Sequence, residues 1–445
     1  MEGNAFYFIG IGGIGMSALA KFLLDQGAIV GGYDKTPSAV TDSLEKQGVF
    51  ICYDDSISAV IDQFLAPKTT IVYTPAIPKN HPQYTYFIEQ NFRVIKRAAL
   101  LGELSHNKQT LAVAGTHGKT TTSSILAHLL KGAEFPFTAL VGGIMNDEQS
   151  NYFSSGTDTL LVEADEFDRS FLHLHPTLAA ITSIDPDHLD IYETPAAVEE
   201  SYAQFAAQVT HKKIVAKEIP IDGITYSTEE KADFYLQNVQ VEGWGYRFDI
   251  HTPTSTFRNV FFSQLGLHNL SNALAAFAMA STLGLDEKQL CLNLANFKGV
   301  ARRLQQVYSS EKHIYIDDYA HHPTEIKAVF KTLDNAFPTD QKCVIFQPHL
   351  YSRTRDFMEE FAEELSRFDR VILLPIYPAR ELPINAITAT ALAKKIAPKT
   401  KVEVVPKAVL KQRVTTIAQR IIVTLGAGDI GLEVNEIKLK LASNE

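Results

Sequence analysis

Short apolar runs alternate with helical patterns along the whole chain of 445 residues. Residues 5–9 form a continuous apolar run, residues 10–15 are rich in glycine and open a helical pattern, and residues 28–33 form a second apolar run. Buried strands separated by helices are typical of a parallel sheet with helices on its faces. The same alternation predicts further strands at 69–73, 110–114, 159–162, 178–181, 314–316, 343–346, 371–374 and 421–423, and helices at 119–131, 268–283 and 286–296.

Three stretches of this α/β pattern predict three domains. Residues 1–106 form a Rossmann-like domain, and residues 301–445 form a second Rossmann-like α/β domain. The central domain, residues 107–300, combines a parallel sheet with a small antiparallel patch, because residues 212–262 alternate in short segments with few helical signals. We expect the linker between the central and last domains at residues 297–303.

Composition and charge limit the classes of protein to which this chain can belong. Hydrophobic residues make up 45% of the chain and charged residues 21%, which excludes a mainly disordered or collagen-like protein. Lys and Arg total 41 against 51 Asp and Glu, so the formal net charge is −10. Proteins that bind nucleic acid along their length are usually basic because they must neutralise phosphates, so we expect no nucleic acid partner.

Cysteine usage and hydropathy predict a cytoplasmic protein. Cys52, Cys291 and Cys343 are far apart and form no CxxC pair, as expected of reduced thiols rather than of disulfides or a zinc site. No apolar run approaches the roughly 20 residues needed to cross a bilayer, and the first residues lack the basic start of a signal peptide. We therefore expect no membrane insertion.

A glycine-rich turn follows the first predicted strand. Gly10, Gly12 and Gly15 have the spacing of the dinucleotide fingerprint, and Asp34 ends the second strand nineteen residues after Gly15. Such a turn brings backbone N–H groups and a helix N-terminus close to a pyrophosphate. By itself the motif suggests an NAD-dependent dehydrogenase, and a glycine turn without a ligand is the simpler alternative. The motif indicates pyrophosphate binding more strongly than nicotinamide binding.

The stretch AGTHGKTTT at residues 114–122 predicts a nucleotide-binding P-loop. Its glycines let backbone N–H groups surround a phosphate, Lys119 can reach the terminal phosphates, and the Thr120 hydroxyl suits Mg²⁺. Position 113 is Val where the strict pattern has Gly, but the strand before and the helix after are the context that a P-loop requires. The central domain is therefore predicted to resemble a P-loop ATPase.

Two acidic stretches follow strands of the same predicted domain. Residues 163–168 (EADEFD) follow the strand at 159–162, and residues 185–190 (DPDHLD) follow the strand at 178–181. An acidic loop is usually a solvated surface, but carboxylates at strand ends beside a P-loop are where the magnesium of a nucleotide is held. His188 is a less usual ligand for so hard a cation.

Histidines and arginines gather at two predicted strand ends of the third domain. Residues 317–325 (DDYAHHPTE) and 346–355 (FQPHLYSRTR) each end a strand and begin a helix. A single histidine is more often a packed or surface residue, but the histidines of both stretches, as a group with Arg353 and Arg355, indicate a carboxylate or phosphate site.

Together these motifs resemble the Mur ligases of peptidoglycan synthesis, over nearly the whole chain. The P-loop stretch alone is similar to a Mur-type synthetase, and the two stretches of the third domain favour an alanine-adding member. The matching stretches, in the family's order, are GIGGIGMS at 10–17, GTHGKTTT at 115–122, EADEFD at 163–168, HNLSNA at 268–273, DDYAHHPTE at 317–325, FQPHLYSRT at 346–354 and GAGDIG at 426–431.

The resemblance implies a role for each domain. The first domain would hold a UDP-sugar, so that its glycine turn meets the UDP pyrophosphate rather than NAD. The central domain would bind ATP, and the C-terminal domain would close over it and bring the amino acid. The implied UDP-sugar contacts are Gly10, Gly12, Gly13, Ile14, Gly15 and Asp34, with Thr74, Pro75 and Ala76 near uracil.

The remaining site residues are also implied by the resemblance. The implied P-loop contacts to ATP are Gly115, Thr116, His117, Gly118, Lys119, Thr120 and Thr121. The implied contacts elsewhere are His268, Asn269 and Asn272 at adenine, Arg303 at the γ-phosphate and Asp318 at the ribose. The implied metal ligands are Thr120, Glu163 and His188, and the implied catalytic residues are Lys119, His188, Arg303, His321, His349 and Arg353.

The activity implied by the resemblance is an ATP-dependent ligation. L-alanine would be joined to the lactyl carboxylate of UDP-N-acetylmuramate through an acyl phosphate, with ATP and two Mg²⁺ ions, for which Mn²⁺ can substitute. The partners would be these small molecules, and the protein would be a monomer or a weak homodimer. A recycling ligase that adds a whole tripeptide to the same sugar is the alternative within the family. A dehydrogenase would leave the P-loop unexplained, and a nucleotide-gated binding protein would leave the third-domain histidines unexplained.

Two features depart from the family pattern. Several sister ligases have a carbamylated lysine soon after the metal histidine, whereas this chain has no lysine between His188 and Lys212, so we expect no such modification. Many alanine-adding relatives have Arg where this chain has Leu350. Arg353 is therefore the better candidate for binding the carboxylate of alanine.

Overall fold

The computed structural model describes residues 3–185, 192, 194–379, 381–398 and 400–443. These residues build three β-sheets, and the chain divides into two compact units. The first unit comprises Met1–Gln240, Arg247–Ser263 and His268–Lys298, and the second comprises Val241–Tyr246, Gln264–Leu267 and Gly299–Glu445.

The first sheet is a five-stranded parallel sheet of Rossmann-like order, β3-β2-β1-β4-β5. Its strands are β1 (Ala5–Ile9), β2 (Ile29–Tyr33), β3 (Phe50–Cys52), β4 (Thr70–Tyr73) and β5 (Arg93–Lys96). Its helices are α1 (Ile14–Asp25), α2 (Ala39–Glu45), α3 (Pro82–Glu89) and α4 (Arg97–Ser105), with short 3-10 turns at Ile57–Ala59 and Asp62–Phe64. The strand order reverses between β1 and β4, which is where ligands bind in open α/β sheets.

The second sheet has ten strands in the order β15-β14-β13-β12-β11-β10-β6-β9-β7-β8. The strands are β6 (Gln109–Ala114), β7 (Thr138–Met145), β8 (Ser150–Ser154), β9 (Thr159–Ala164), β10 (Leu178–Ile181), β11 (Lys212–Ala216), β12 (Ile224–Ser227), β13 (Phe234–Glu242), β14 (Gly245–His251) and β15 (Thr256–Phe262). Its helices are α5 (Lys119–Gly132), α6 (Pro195–Gln208), α7 (Leu267–Thr282) and α8 (Glu287–Leu294), with a 3-10 segment at Phe167–His173. The buried strand β6 lies between β9 and β10 and is parallel to both.

The expected antiparallel patch is smaller than predicted. Within residues 212–262, β11 pairs with β12 and β12 pairs with β13, both in parallel. The connections from β13 to β14 and from β14 to β15, residues 243–244 and 252–255, have the length of hairpin loops. A second antiparallel pair, β7 with β8, was not predicted.

The third sheet has six strands in the order β16-β17-β21-β18-β19-β20. All neighbours are parallel except β16, which is antiparallel to β17. The strands are β16 (Gln305–Ser309), β17 (Ile314–Asp318), β18 (Lys342–Phe346), β19 (Arg370–Leu373), β20 (Lys401–Val404) and β21 (Ile421–Leu425). The helices are α9 (Pro323–Ala336), α10 (Tyr351–Asp356), α11 (Met358–Leu365), α12 (Ala389–Ile396), α13 (Lys407–Val414) and α14 (Val434–Ala442), with a 3-10 turn at Asp429–Glu433.

The predicted α/β class is confirmed, and every strand predicted outside the patch is present to within two residues of its expected ends. The three domain ranges stay a prediction. The division into compact units separates Lys298 from Gly299, inside the predicted linker, but places the first two sheets mainly in one unit. In the described part of the chain, no helix combines the length and the apolar character needed to span a bilayer.

Candidate active site

The P-loop is a backbone cradle between β6 and α5. Gly115 has φ +142° and Gly118 has φ +85°, conformations that favour glycine. A Cβ atom on Gly115 would lie 2.1 Å from Thr182 Oγ1, and one on Gly118 would lie 2.3 Å from Asn272 Oδ1. Both positions therefore exclude larger residues, and the turn presents main-chain atoms at the start of α5.

The P-loop lysine is held by three oxygen atoms. Lys119 Nζ donates to the carbonyls of Gly115 at 2.7 Å and Thr116 at 3.4 Å. Its third contact is a 2.6 Å ion pair with Glu166 Oε2, and the side chains of this pair are only 17% and 5% exposed. An ammonium group has three N–H donors, so these contacts use all of them.

Glu163 lies at the end of β9 beside the first turn of α5. One carboxylate oxygen accepts from Thr120 Oγ1 at 3.1 Å, and the other accepts from the Gly142 N–H at 2.6 Å and Ser123 Oγ at 3.1 Å. Burial raises the pKa of the Glu163 carboxyl, and these donors together with Lys119 oppose that rise. The structure thus places two of the predicted metal ligands, Thr120 and Glu163, in contact.

The third predicted metal ligand, His188, lies outside the described residues. Among the residues that the structure describes, no group of three or more His, Cys, Asp or Glu side chains is arranged to hold a metal ion. The hydroxyl of Thr120 and the carboxylate of Glu163 are nevertheless the hard oxygen donors that Mg²⁺ prefers. The half-buried, hydrogen-bonded pair fits a magnesium ion that would take its other ligands from the phosphates and water.

The remaining P-loop contacts join the turn to the next strand end. Thr116 Oγ1 donates to the carbonyl of Asp185 at 2.9 Å, and the His117 N–H donates to Ser183 Oγ at 2.8 Å. Of the predicted adenine contacts on α7, Asn269 and Asn272 are buried and His268 is exposed. Asn272 reaches the P-loop at Gly118, which connects this part of the prediction to the nucleotide turn.

The glycine turn after β1 is closed by the acid at the end of β2. The Gly12 N–H donates to Asp34 Oδ2 at 2.7 Å, and Gly10 adopts φ +91° beside Thr74 at the end of β4. These residues therefore meet at the point where the strand order of the first sheet reverses. Gly13 precedes α1 and Ile14 begins it, so the turn opens onto a helix N-terminus as predicted.

A cavity of about 310 Å³ lies next to this turn. Pro75, which the sequence placed near uracil, lines it, while Thr74 and Ala76 flank Pro75 in the chain. Two lysines also line the cavity, Lys79 and Lys96. Asp168 lines it too and pairs with Lys96 at 2.6 Å, so Lys79 supplies the positive charge beside the apolar walls that a site for an anionic sugar nucleotide requires.

In the second unit the three predicted residues His321, His349 and Arg353 come together. The two imidazole rings are 6.0 Å apart, and Arg353 Nη1 lies 3.4 Å from His349 Nδ1. Burial, together with the neighbouring His321 and Arg353, lowers the pKa of His349 to about 4. Burial also lowers the pKa of His321. Both rings are therefore neutral at pH 7.

The tautomers of the two histidines follow from their partners. An arginine can only donate, so His349 Nδ1 accepts from Arg353 and its proton is on Nε2. His321 Nδ1 lies 3.0 Å from the carbonyl of Tyr319, which can only accept, so Nδ1 is protonated and Nε2 is the acceptor of the ring. The cluster therefore presents one donor and one acceptor besides the arginine.

Asp318 and Arg303 are placed differently from the histidines. The buried Asp318 carboxylate accepts from the backbone N–H groups of Leu304 at 2.6 Å and Ala320 at 2.7 Å. Burial raises its pKa to about 6. The guanidinium of Arg303 lies over the ring of Tyr319, 5.6 Å from its centre. Asp318 thus fixes the chain around it, and its predicted contact with ribose stays a prediction.

Two contacts at the site were not predicted. Glu166 stood in a predicted acidic stretch, but no pattern indicated that it, rather than its neighbours, would pair with Lys119. Arg97 had no sequence signal at all, although its guanidinium lies beside Gly15. Its Nη1 atom would be 2.6 Å from a Cβ atom placed on Gly15. Both contacts join residues far apart in the chain, which local patterns cannot reveal.

Family models for the Mur ligases match most of the chain. The model of the Mur ligase family catalytic domain matches residues 5–109, and that of the Mur ligase middle domain matches residues 113–280. The model of the Mur ligase glutamate ligase domain matches residues 302–432. The chain belongs to the Mur ligase family. It is accordingly an ATP-dependent ligase that forms a carbon–nitrogen bond.

Individual relatives of this Mur ligase match it from end to end. The UDP-N-acetylmuramate–L-alanine ligase of Flavobacterium johnsoniae is 46% identical over 440 residues, which is 98% of each chain. That of Christiangramia forsetii is 47% identical over 98% of this chain and 97% of its own. The crystal structure of the UDP-N-acetylmuramate–alanine ligase of Thermotoga maritima has a TM-score of 0.85 at 25% identity, covering 99% of this chain and 100% of that one.

Proposed function

We propose that this Mur ligase joins L-alanine to the lactyl carboxylate of UDP-N-acetylmuramate, using ATP, in the synthesis of peptidoglycan precursors. The observation on which the ATP-dependent part rests is the P-loop cradle with Lys119 and the Thr120–Glu163 contact at its mouth. The choice of substrates rests on the end-to-end likeness to alanine ligases.

The P-loop would bind the phosphates of ATP. Backbone N–H groups at the start of α5 and the ammonium of Lys119 would neutralise charge on the transferred phosphoryl group. Asn269 and Asn272 would contact adenine from α7. Mg²⁺, held by Thr120, Glu163 and, as the resemblance implies, His188, would supply electrostatic stabilisation of the phosphate oxygens.

The glycine turn of the first sheet would bind the UDP pyrophosphate. Gly10, Gly12 and Gly15 bring the backbone close to the phosphates, and the nearby guanidinium of Arg97 adds a positive charge. The adjoining cavity, with Pro75 and Lys96 in its wall, would hold a further part of the sugar nucleotide.

The cluster in the second unit would bind the amino acid. Arg353 and the Nε2–H of His349 are donors suited to the carboxylate of L-alanine. His321 Nε2 is an acceptor that would take a proton from the ammonium group of alanine and so expose its lone pair. Arg303 would bind the γ-phosphate of ATP.

The reaction has two chemical steps. A lactyl carboxylate oxygen attacks the γ-phosphorus of ATP, the bond from that phosphorus to ADP breaks, and an acyl phosphate forms. The deprotonated amine of alanine then attacks the acyl carbon, and the tetrahedral intermediate collapses to the amide and inorganic phosphate. Because a carboxylate does not condense with an amine unaided at pH 7, the phosphoryl group is needed to provide a leaving group.

The tripeptide ligase of cell-wall recycling is the alternative function. The relatives named above do not favour it, because they are alanine ligases.

The experiment that separates the two functions measures phosphate release from ATP with Mg²⁺ and UDP-N-acetylmuramate. The second substrate is either L-alanine or L-Ala-γ-D-Glu-meso-diaminopimelate. We expect release and an amide of the expected mass with L-alanine. Release with the tripeptide alone would move the assignment to the recycling enzyme.

A further inference from the structure

The two residues that flank Arg303 both have left-handed backbone conformations. The φ angle is +62° at Arg302 and +43° at Leu304. In residues other than glycine this conformation costs free energy, so it persists only where contacts with the rest of the fold hold it. Arg303 is the residue that the proposed function assigns to the γ-phosphate of ATP. The contacts that hold its two neighbours therefore decide where its guanidinium lies.

Two consecutive aspartates at the end of β17 hold these neighbours, one each. Asp317 Oδ2 forms an ion pair with Arg302 Nε at 3.0 Å. Asp318 Oδ2 accepts from the Leu304 N–H at 2.6 Å. Since β17 lies between β16 and β21 in the third sheet, both carboxylates are attached to an interior strand. Arg303 therefore lies between two anchored residues.

The ion pair between Arg302 and Asp317 is enclosed by further hydrogen bonds. The side chain of Asp317 is 0% exposed and that of Arg302 is 23% exposed. The second carboxylate oxygen accepts from Thr424 Oγ1 at 2.6 Å, and Arg302 Nη2 donates to the carbonyl of Gly426 at 2.6 Å. A buried ion pair adds little net stability, because both charges lose their water. Its contribution here is the fixed position of Arg302, which is bonded on two sides.

The two arginines differ in how their charge is compensated. Both guanidinium groups lie near the ring of Tyr319, 5.1 Å from its centre for Arg302 and 5.6 Å for Arg303. The charge of Arg302 is compensated by Asp317. Among the residues that the structure describes, none forms an ion pair with Arg303. Arg303 therefore has its charge available for a phosphate, whereas Arg302 does not.

We propose that Arg302 and Asp317 are a pair of positioning residues, which hold residues 302–304 in their strained conformation and thereby place Arg303 for the γ-phosphate. This inference rests on the proposed function for the role of Arg303. Because neither member of the pair touches the nucleotide in this account, their loss should weaken only the contact that Arg303 makes. That contact is with the γ-phosphate, which ATP has and ADP lacks.

The test compares the Kd of a non-hydrolysable ATP analogue with that of ADP, by calorimetry in the presence of Mg²⁺ and UDP-N-acetylmuramate. The ratio of the two Kd values isolates the contacts with the γ-phosphate. Asp317→Asn removes the charge of the side chain and keeps its shape. We expect its Kd for the analogue to rise at least about tenfold, the loss typical of a disturbed hydrogen bond to a charged group, and its Kd for ADP to stay unchanged.

Arg302→Lys is a second variant, which keeps a cation beside the buried Asp317 carboxylate and so preserves the charge balance of the fold. A lysine lacks the fork geometry with which a guanidinium bonds both Asp317 and the Gly426 carbonyl, so we expect the same selective loss. Arg303→Ala sets the scale of the effect, because it removes the contact itself. Its loss should be at least as large as that of either variant.

Glu403→Gln is the matched control. Glu403 pairs with Arg370 at 2.7 Å in the same sheet, and the Arg370 side chain is only 8% exposed. The variant thus takes a carboxylate from another buried arginine, and both of its Kd values should match those of the unmodified enzyme. A selective loss in this control too would make the effect a general result of weakening the sheet and would overturn the proposal.

The remaining outcomes separate this proposal from the proposed function. If Arg303→Ala selectively loses binding of the analogue but Asp317→Asn and Arg302→Lys do not, the positioning pair is refuted and the role of Arg303 stands. If the two variants weaken binding of ADP as much as that of the analogue, the pair supports the fold in general and the proposal is refuted as well. If Arg303→Ala itself has no selective effect, the assignment of Arg303 to the γ-phosphate fails, and this inference fails with it.

Discussion

At the scale of single residues, the sequence was enough to identify Lys119 and Glu163 as site residues, whereas Glu166 was identified only from its contacts in the structure. Lys119 and Glu163 stand in motifs whose residue types indicate phosphate and magnesium binding. Glu166 became important only through its ion pair with Lys119, which depends on how β9 and α5 lie against each other in the folded chain. Side-chain pairing between distant segments is thus the part of the site that local patterns leave open.

The Lys119→Ala variant should lose turnover by at least about a hundredfold, as expected for removal of a charge that stabilises the transition state. Phosphate release with both substrates is the measurement. Lys131→Ala, on the same helix but near its other end, is the control and should keep full turnover. Near-normal turnover in Lys119→Ala would refute the role of the P-loop.

The pKa of His349 gives a second prediction at this scale. Because burial lowers it to about 4, folding favours the neutral ring. The contribution of His349 to the free energy of unfolding should be fully present above about pH 6.5, the usual pKa of histidine, and be lost as the pH falls towards 4. In NMR spectra, the ring resonance that disappears in His349→Gln should titrate with a midpoint near 4. A midpoint near 6.5 would contradict the buried, neutral ring.

At the scale of elements, strand positions could be predicted because strands buried on both faces appear as continuous apolar runs. The run at 178–181 coincides with β10, and the run at 5–9 coincides with β1. The parallel pairing of β11 with β12 and of β12 with β13 could not be predicted, since short alternating segments have the same pattern in either direction. The positions of strands could thus be read from the sequence, whereas their pairing partners and directions were known only from the structure.

The P-loop turn is the element whose shape can be tested most directly. Gly118→Ala should suffer both the left-handed backbone, of order 1–2 kcal/mol, and a clash with Asn272, so it should lose ATP binding. Gly48→Ala is the matched control, because Gly48 has nearly the same φ, +86°, and open space around its Cβ position.

Thermal unfolding and the Kd of an ATP analogue are the two measurements for this pair. Gly48→Ala should lose some stability and keep its Kd for the analogue. If Gly118→Ala behaved like Gly48→Ala in both measurements, the close approach of Asn272 to the P-loop would have no part in nucleotide binding.

At the scale of the whole molecule, we assign the sugar nucleotide and the P-loop contacts of ATP to the first unit, and the amino acid and the Arg303 contact with the γ-phosphate to the second. The first unit contains the glycine turn, its cavity and the P-loop, and the second contains the cluster of His321, His349 and Arg353. The three Mur ligase models match the chain in the same order as these sites. The assignment of substrates to units was implied by family resemblance, because composition alone limits only the class of protein.

The proposed mechanism requires that the lactyl carboxylate be activated as an acyl phosphate before alanine attacks it. UDP-N-acetylmuramate labelled with ¹⁸O in both oxygens of that carboxylate tests it directly, with ATP, Mg²⁺ and L-alanine present. Mass spectrometry of the phosphate released should find one ¹⁸O atom per molecule, because the oxygen that attacks the γ-phosphorus leaves with it. Phosphate without ¹⁸O, formed along with the amide, would contradict the acyl phosphate and with it the proposed mechanism.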